Sequence, residues 1–167
     1  MRLFLLPIAL IACVAHEPGT SLGTYAVTGT LKTQTCGASM QAQIQDPWAF
    51  DVRLSRSGTI LFWLQAASPA LSGTIDPSGN VSITTSQIYD LRGGGGTSDA
   101  GPYCGVVRTD TFTAALGTSA DPTDFTGTIT YHYELDDGSV CGGLLVGQFD
   151  AVPCDVSYDL AAKRASP

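Results

Sequence analysis

The chain is poor in positive charge, in histidine and in long apolar runs. It has eight Lys and Arg residues against fifteen Asp and Glu residues, a formal net charge of −7, and two His among 167 residues. A polyanion of this sign is repelled by DNA, by RNA and by anionic lipid headgroups, so nucleic acid is not an expected partner. The apolar run at the N-terminus, Leu3 to Ala12, is shorter than the roughly 20 residues that a membrane-spanning helix needs.

Sequence signatures of metal and base-assisted chemistry are scarce. No Cys-x-x-Cys pair and no His-Glu-x-x-His motif occurs, and the chain beyond residue 23 contains one histidine, His132, on the polar face of a predicted strand. We therefore expect no enzyme, no metal site and no cofactor. The alternative is a glycosidase-like hydrolase that works with two carboxylates, for which Glu134 with Asp136 or Asp150 is the candidate pair.

The first thirteen residues have the order of an export signal. Arg2 supplies a short positive end, Leu3 to Ala12 supplies the apolar segment, and small residues precede Cys13. The sequence Leu10-Ile11-Ala12-Cys13 resembles the lipobox of bacterial lipoprotein signal peptides. This resemblance implies that residues 1–12 are removed and that Cys13 carries diacylglycerol and an acyl chain such as palmitate, which anchor the protein in a membrane. The alternative is an ordinary secretory leader with a free thiol at Cys13.

The resemblance also implies a cellular location and a division of the chain into segments. Cys13 is followed by Val14 and not by aspartate, which would resemble an inner-membrane retention signal, so the outer membrane is favoured within the envelope of a diderm cell. Residues 13–23 are predicted to form a polar, lipid-anchored tether. A single β domain is expected over residues 24–160, followed by a C-terminal tail over residues 161–167. Without Arg2 the mature chain has a formal charge of −8.

Four further cysteines are predicted to pair in an oxidising, extracytoplasmic compartment. Four cysteines allow three pairings, and sequence alone does not choose among them. The short loop between Cys141 and Cys154 favours a bridge there, which leaves Cys36 with Cys104 to close a long loop. The four disulfide cysteines are Cys36, Cys104, Cys141 and Cys154.

Apolar and polar residues alternate along most of the chain, which indicates strands with one covered face. Phe50, Val52 and Leu54, for example, alternate with Asp51 and Arg53. Turn-forming residues separate about nine such segments, which predicts an all-β antiparallel meander. The candidate strands are Tyr25–Leu31, Phe50–Leu54, Gly58–Gln65, Leu71–Asp76, Asn80–Tyr89, Cys104–Leu116, Phe125–Leu135, Val140–Gln148 and Cys154–Leu160.

A glycine recurs early in four of these strands and favours a small closed β-barrel, with a β-sandwich as the alternative. A glycine weakens a strand unless the strand must bend sharply there, as it does at the corner of a barrel. Strand count and glycine placement resemble those of the calycins, the lipocalin and avidin group. The signature motifs of calycins do not occur, so no binding residues are carried over. The four glycines are Gly29, Gly58, Gly73 and Gly127.

One predicted strand places two opposite charges on its apolar side. In the strand from Cys104, Arg108 and Asp110 share a parity with Val106 and Phe112. A regular strand would turn both charges inward, where they must pair or bind a polar group. A single β-bulge would instead turn them outward, and we favour the bulge because it avoids burying charge.

Three other features have a functional and a structural interpretation. Four aromatic residues are candidates for a sugar-stacking platform. Tyr131 and Tyr133 share a parity with Phe125 and Ile129, so we favour the core for these two. The glycine run 93–96 predicts an exposed loop of the kind that recognises partners. Acidic residues in two turns would hold calcium only if the turns meet, and we expect them to be solvated. The aromatic set is Trp48, Trp63, Tyr131 and Tyr133, and the acidic set is Asp121, Asp124, Asp136 and Asp137.

These observations predict an exported, membrane-anchored lipoprotein that acts as a non-catalytic binding or structural module. Its expected partners are a membrane, through Cys13, and a protein, a glycan or a small apolar ligand.

Overall fold

The computed structural model describes residues 18–66, 68–92, 102–145 and 147–165. The predicted signal peptide, Cys13 and the glycine run 93–96 lie outside the described residues. No helix among the residues described is long and apolar enough to cross a membrane.

The described residues contain eight strands and little helix, so the all-β prediction is confirmed. Most of the strands alternate between buried and more exposed residues, as the sequence pattern predicts. One short helix, α1, spans Ala38–Gln41, and a 3-10 turn spans Gly142–Leu145. The strands are β1 Thr20–Gln34, β2 Trp48–Ser57, β3 Ile60–Gln65, β4 Leu71–Ile75, β5 Asn80–Asp90, β6 Gly105–Ala115, β7 Asp124–Leu135 and β8 Cys154–Arg164.

Each strand pairs antiparallel with the next, and β8 pairs with β1 to close a barrel. The predicted barrel is therefore correct and the sandwich alternative is wrong. The predicted strand Val140–Gln148 is also wrong, because this segment contains the 3-10 turn and two glycines with positive φ, Gly142 and Gly147. Its first residue instead binds the connection before β6, because the Val140 amide donates a hydrogen bond to the carbonyl oxygen of Tyr103 at 2.8 Å.

The two ends of the barrel differ. Tight turns at residues 58–59 and 76–79, with the connection 116–123, close one end. The other end carries the longer connections 35–47, 91–104 and 136–153. The described chain enters at the closed end, where the Ser55 hydroxyl donates to the carbonyl oxygen of Pro18 at 2.6 Å. We call these the closed end and the open end.

Aromatic and aliphatic side chains fill the barrel from the closed end to its middle. Tyr25 and Leu54 are fully buried, and the rings of Tyr25 and Phe125 lie 5.3 Å apart. Above them, the Trp63 ring lies 4.5 Å from that of Phe112. Burying a side chain of this size contributes about 1.5 to 3 kcal/mol, so this cluster is a major source of stability.

Inward-facing glycines allow neighbouring strands to approach closely. A Cβ on Gly73 would collide with the carbonyl oxygen of Ser82, and one on Gly127 would collide with that of Thr113. Gly58 is different, because it lies in a turn with φ +61° and open space around it. Gly73 and Gly127 therefore mark close approach of the backbones of neighbouring strands, and Gly58 marks a hairpin.

Two disulfides lie at the open end, and their pairing differs from the predicted one. Cys36 joins Cys154, and Cys104 joins Cys141. Strand neighbours explain the result, because β8 begins at Cys154 beside the end of β1, where Cys36 follows. The segment before Cys141 is hydrogen-bonded to residues 103–105, which brings Cys141 to Cys104. Proximity in the sheet, not loop length, decides the pairing.

The barrel extends beyond the predicted domain bounds at both ends. Strand β1 begins at Thr20, within the predicted tether, and β8 continues to Arg164, within the predicted tail. Both extensions are paired, with Thr20 opposite Arg56 and Tyr25 opposite Arg164. These strand ends contain polar residues, so an analysis of apolar and polar alternation does not detect them.

Candidate functional site

A cavity of about 470 Å³ opens at the open end of the barrel. Cavities of roughly 300 to 1,000 Å³ are the size that holds small ligands in proteins. Eight-stranded barrels have an interior wide enough for one such ligand. The cavity is lined by Trp63, Gln65, Ser68, Pro69, Leu71, Ile83, Thr85, Gln87, Arg108, Asp110, Phe112, Ile129 and Tyr131.

Arg108 and Asp110 both face this cavity, and the predicted bulge is wrong. The pairing of β6 with β5 and with β7 runs without a register shift from residue 106 to residue 114. A regular strand keeps one parity inward, so both charges point into the barrel. Burial of the two charges is compensated because they neutralise each other.

The two side chains form a bidentate ion pair. The Arg108 Nε donates to Oδ1 of Asp110 at 2.7 Å, and Nη2 donates to Oδ2 at 2.8 Å. The Arg108 side chain keeps 26% of its surface exposed and that of Asp110 keeps 12%. Such two-point contacts fix orientation as well as distance.

Two tyrosine rings flank the guanidinium. Its central carbon lies 5.4 Å from the ring centroid of Tyr89 and 5.2 Å from that of Tyr131. A guanidinium within about 6 Å of an aromatic face is attracted to it. The pair and the rings therefore hold the cation in one place on the cavity wall.

Burial dominates the electrostatics of this wall. It raises the pKa of Asp110 above its ordinary value, against the opposing effect of the Arg108 guanidinium. Burial also raises the pKa of Tyr131 and of Tyr133, so both phenols stay protonated and uncharged.

The register of β5, β6 and β7 places the residues of this wall in layers, and their polarity decreases from the mouth of the cavity inward. Nearest the mouth, Gln87 and Tyr133 lie opposite Arg108 on the two neighbouring strands. The next layer is Thr85, Asp110 and Tyr131, and the deepest is Ile83, Phe112 and Ile129. A ligand with one polar end and one apolar end matches this gradient.

Tyr131 and Tyr133 face the barrel interior, as favoured, opposite Asp110 and Arg108. Trp63 is buried, with 4% of its surface exposed, and lines the cavity together with Tyr131. Trp48 packs beside the mouth, with its ring 5.4 Å from that of Tyr158. Tyr133 packs on Phe149 at 5.1 Å. Trp48 and Tyr131 also line a second, more open pocket together with Tyr158, Gln43 and Gln45.

The carboxylates proposed for the hydrolase alternative are not gathered in the cavity. Asp110 is the one carboxylate among the lining residues. Asp150 binds the Ala38 amide and the Ser39 hydroxyl at the start of α1, and these hydrogen bonds lower its pKa. Glu134 lies on the outer face of β7, 3.9 Å from His132.

His132 faces outward, as the sequence predicts. Its Nδ1 lies 2.8 Å from Oδ1 of Asp155, and its side chain is 39% exposed. The two acidic turns lie at opposite ends of the barrel, with Asp121 and Asp124 at the closed end and Asp136 and Asp137 at the open end. No group of metal-binding residues occurs within the described ranges.

A Gly-x-Ser-x-Gly sequence occurs at residues 19–23, but its surroundings do not match a nucleophile elbow. Such an elbow needs a strand, a sharp turn and a following helix. Here Ser21 lies inside β1, which continues to Gln34, and its hydroxyl oxygen accepts a hydrogen bond from the Gly23 amide at 3.3 Å. This is a local bulge at the closed end.

Sequence reasoning missed several cavity residues, among them Gln65, Thr85 and Gln87. Thr85 and Gln87 share the parity of Val81 and Ile83 on β5, so the pattern contained the signal. Polar residues at inward positions mark a lined cavity in place of a packed core.

Comparison with protein-family models, with curated proteins and with solved structures found no match for this chain. The fold and site therefore define its class by architecture: an eight-stranded antiparallel barrel with a partly polar cavity at one end.

Proposed function

We propose that this protein is an exported, lipid-anchored, non-catalytic binding protein whose barrel holds a small ligand in the cavity at the open end. The observation that carries the proposal is the inward Arg108 and Asp110 pair in a wall that is otherwise mainly apolar. Apolar walls with a few convergent polar groups are characteristic of ligand sites.

The build of the open end supports the same function. Both disulfides lie there and tie the long connections to β6 and β8. These covalent links restrict the joined positions before a ligand binds, which reduces the ordering cost of binding. Two disulfides are also compatible with an extracytoplasmic location.

The path of the chain supports an anchored orientation. Pro18 and Gly19 lie at the closed end beside Ser55 and Arg56. Cys13 precedes Pro18 by five residues. With a lipid on Cys13, the closed end lies nearest the membrane and the cavity opens toward the aqueous side.

Ligand binding is tested with a neutral dye, N-phenyl-1-naphthylamine, whose fluorescence rises in apolar surroundings. We expect the wild type to bind it with saturation, and Thr85→Trp to abolish binding because Thr85 lines the cavity. The matched control is Thr84→Trp, at the adjacent exposed position on the outer face of β5. Loss of binding in neither variant, or in both, would overturn the cavity as the binding site.

Anchoring is tested separately with Cys13→Ser expressed in a bacterium. The lipobox resemblance predicts that the wild type sediments with membranes and that the variant is released. A variant that stays in the membrane fraction after a high-salt wash would contradict the lipid anchor.

A further inference from the structure

The charge balance of the cavity restricts which ligands it accepts, given that it binds one as proposed above. Arg108 and Asp110 are the two charged residues in its lining, and they neutralise each other. An anionic ligand would bring a second negative charge into a low-dielectric space that holds one cation already paired. Uncompensated charge in such a space carries a large desolvation cost.

The guanidinium nevertheless has hydrogen-bonding capacity to spare. Arginine has five N–H groups, and two of them donate to Asp110. Within the described residues, no other acceptor takes a hydrogen bond in good geometry from this guanidinium, although the Tyr133 hydroxyl lies close enough to interact with it. The Arg108 side chain is also the more exposed of the pair.

The other polar groups in the lining are uncharged. Gln65 and Gln87 each offer an amide that both donates and accepts, and Thr85 and Tyr131 offer hydroxyl groups. Below them the wall is formed by Ile83, Phe112 and Ile129. The site therefore provides several neutral hydrogen bonds near its mouth and apolar surface below.

We infer that the cavity takes an uncharged amphipathic ligand, with a neutral acceptor such as an amide, ester or ketone oxygen at Arg108 and an apolar body toward Phe112. Asp110 acts as the selectivity element, because it occupies the face of the guanidinium that an anionic ligand would otherwise use. Neutral ligands do not compete with it.

Two dyes of one ring skeleton test this inference. N-phenyl-1-naphthylamine is neutral, and 8-anilino-1-naphthalenesulfonate adds one sulfonate. We expect the wild type to bind the neutral dye at least about tenfold more tightly at neutral pH. Asp110→Asn keeps the size of the side chain and removes its charge, so the ratio of sulfonate affinity to neutral-dye affinity should rise about tenfold or more.

The double variant Arg108→Gln with Asp110→Asn separates charge from polarity. Its cavity has no charged lining residue, so the gain in sulfonate binding should disappear. Circular dichroism and thermal unfolding identify any variant that fails to fold. The Thr85→Trp variant again reports whether each dye occupies the cavity.

The outcomes separate the inference from the function on which it rests. Sulfonate binding in the wild-type cavity within about threefold of the neutral dye, or no gain in Asp110→Asn, would overturn the inference and leave the binding function standing. Dye uptake that Thr85→Trp does not reduce would overturn both.

Discussion

The hydroxyl of Tyr25 donates to the carbonyl oxygen of Pro122 at 2.8 Å, across the closed end of the barrel. The Leu22 carbonyl oxygen lies 3.1 Å from the same hydroxyl. Tyr25 is fully buried, and Pro122 belongs to the connection between β6 and β7. One side chain of β1 therefore holds in place the connection that covers this end.

We predict that Tyr25→Phe lowers the free energy of unfolding by about 1 to 2 kcal/mol, because it leaves buried carbonyl oxygens without their donor. The matched control is Tyr103→Phe, whose exposed hydroxyl donates to Asp136 at 2.6 Å. The control should change stability by less than about 0.5 kcal/mol. Urea unfolding measures both, and equal losses would contradict the role assigned to Tyr25.

The disulfide pairing is tested by mapping peptides under non-reducing conditions. Trypsin leaves Cys141 and Cys154 on one peptide, so a second cleavage before Asp150 is needed to separate them. We expect Cys36 linked to Cys154 and Cys104 linked to Cys141. A direct link between Cys141 and Cys154 would contradict the arrangement of the open end.

The two disulfides should differ in their effect on stability. The bridge from Cys36 spans 118 residues and that from Cys104 spans 37. Chain entropy predicts losses of about 5 and about 4 kcal/mol when each is replaced by a serine pair. Urea unfolding of the two double variants measures the order, and a larger loss for the shorter loop would contradict the entropic account.

Sulfonate binding should depend on pH through Asp110. Burial raises its pKa, whereas hydrogen bonds lower the pKa of the exposed Asp76, Asp150 and Asp159. As the pH falls, Asp110 therefore takes up a proton before these three, and Arg108 loses its neutralising partner. Tyr131 and Tyr133 face the same pair and remain neutral throughout.

We expect wild-type affinity for 8-anilino-1-naphthalenesulfonate to increase as the pH is lowered from 7 toward the pKa of Asp110. The Asp110→Asn variant should show high affinity with little dependence on pH in this range. Fluorescence titrations across this range make the comparison, and an equal increase in both proteins would assign the effect to other groups.

Local pattern in the sequence predicted the all-β meander and favoured the barrel over the sandwich. Alternation along β2, β5 and β7 reports which face is buried, and the inward glycines Gly73 and Gly127 report close strand contact. The segment Val140–Gln148 misled the prediction because apolar residues flank glycines that favour turns. Its conformation depends on a hydrogen bond to Tyr103, which is distant in sequence.

The site was only partly predictable, because it depends on contacts between strands. The parity of Arg108 and Asp110 was visible, but the choice between a regular and a bulged strand depended on their mutual pairing and on Tyr89 and Tyr131 from β5 and β7. The disulfide partners likewise follow from which strands are neighbours. The predicted bridge between Cys141 and Cys154 was chosen on the length of the loop between them, which does not report which strands are neighbours.

The central claim, that the barrel interior is a binding site, is tested most directly by energy transfer from Trp63. The chain has two tryptophans, so Trp48→Phe leaves Trp63, which lines the cavity, as the single donor. We predict that bound N-phenyl-1-naphthylamine quenches Trp63 emission as its own emission rises. Adding Thr85→Phe, which places a larger side chain in the cavity lining, should weaken both signals together. Dye emission that rises while Trp63 emission stays constant would contradict the claim.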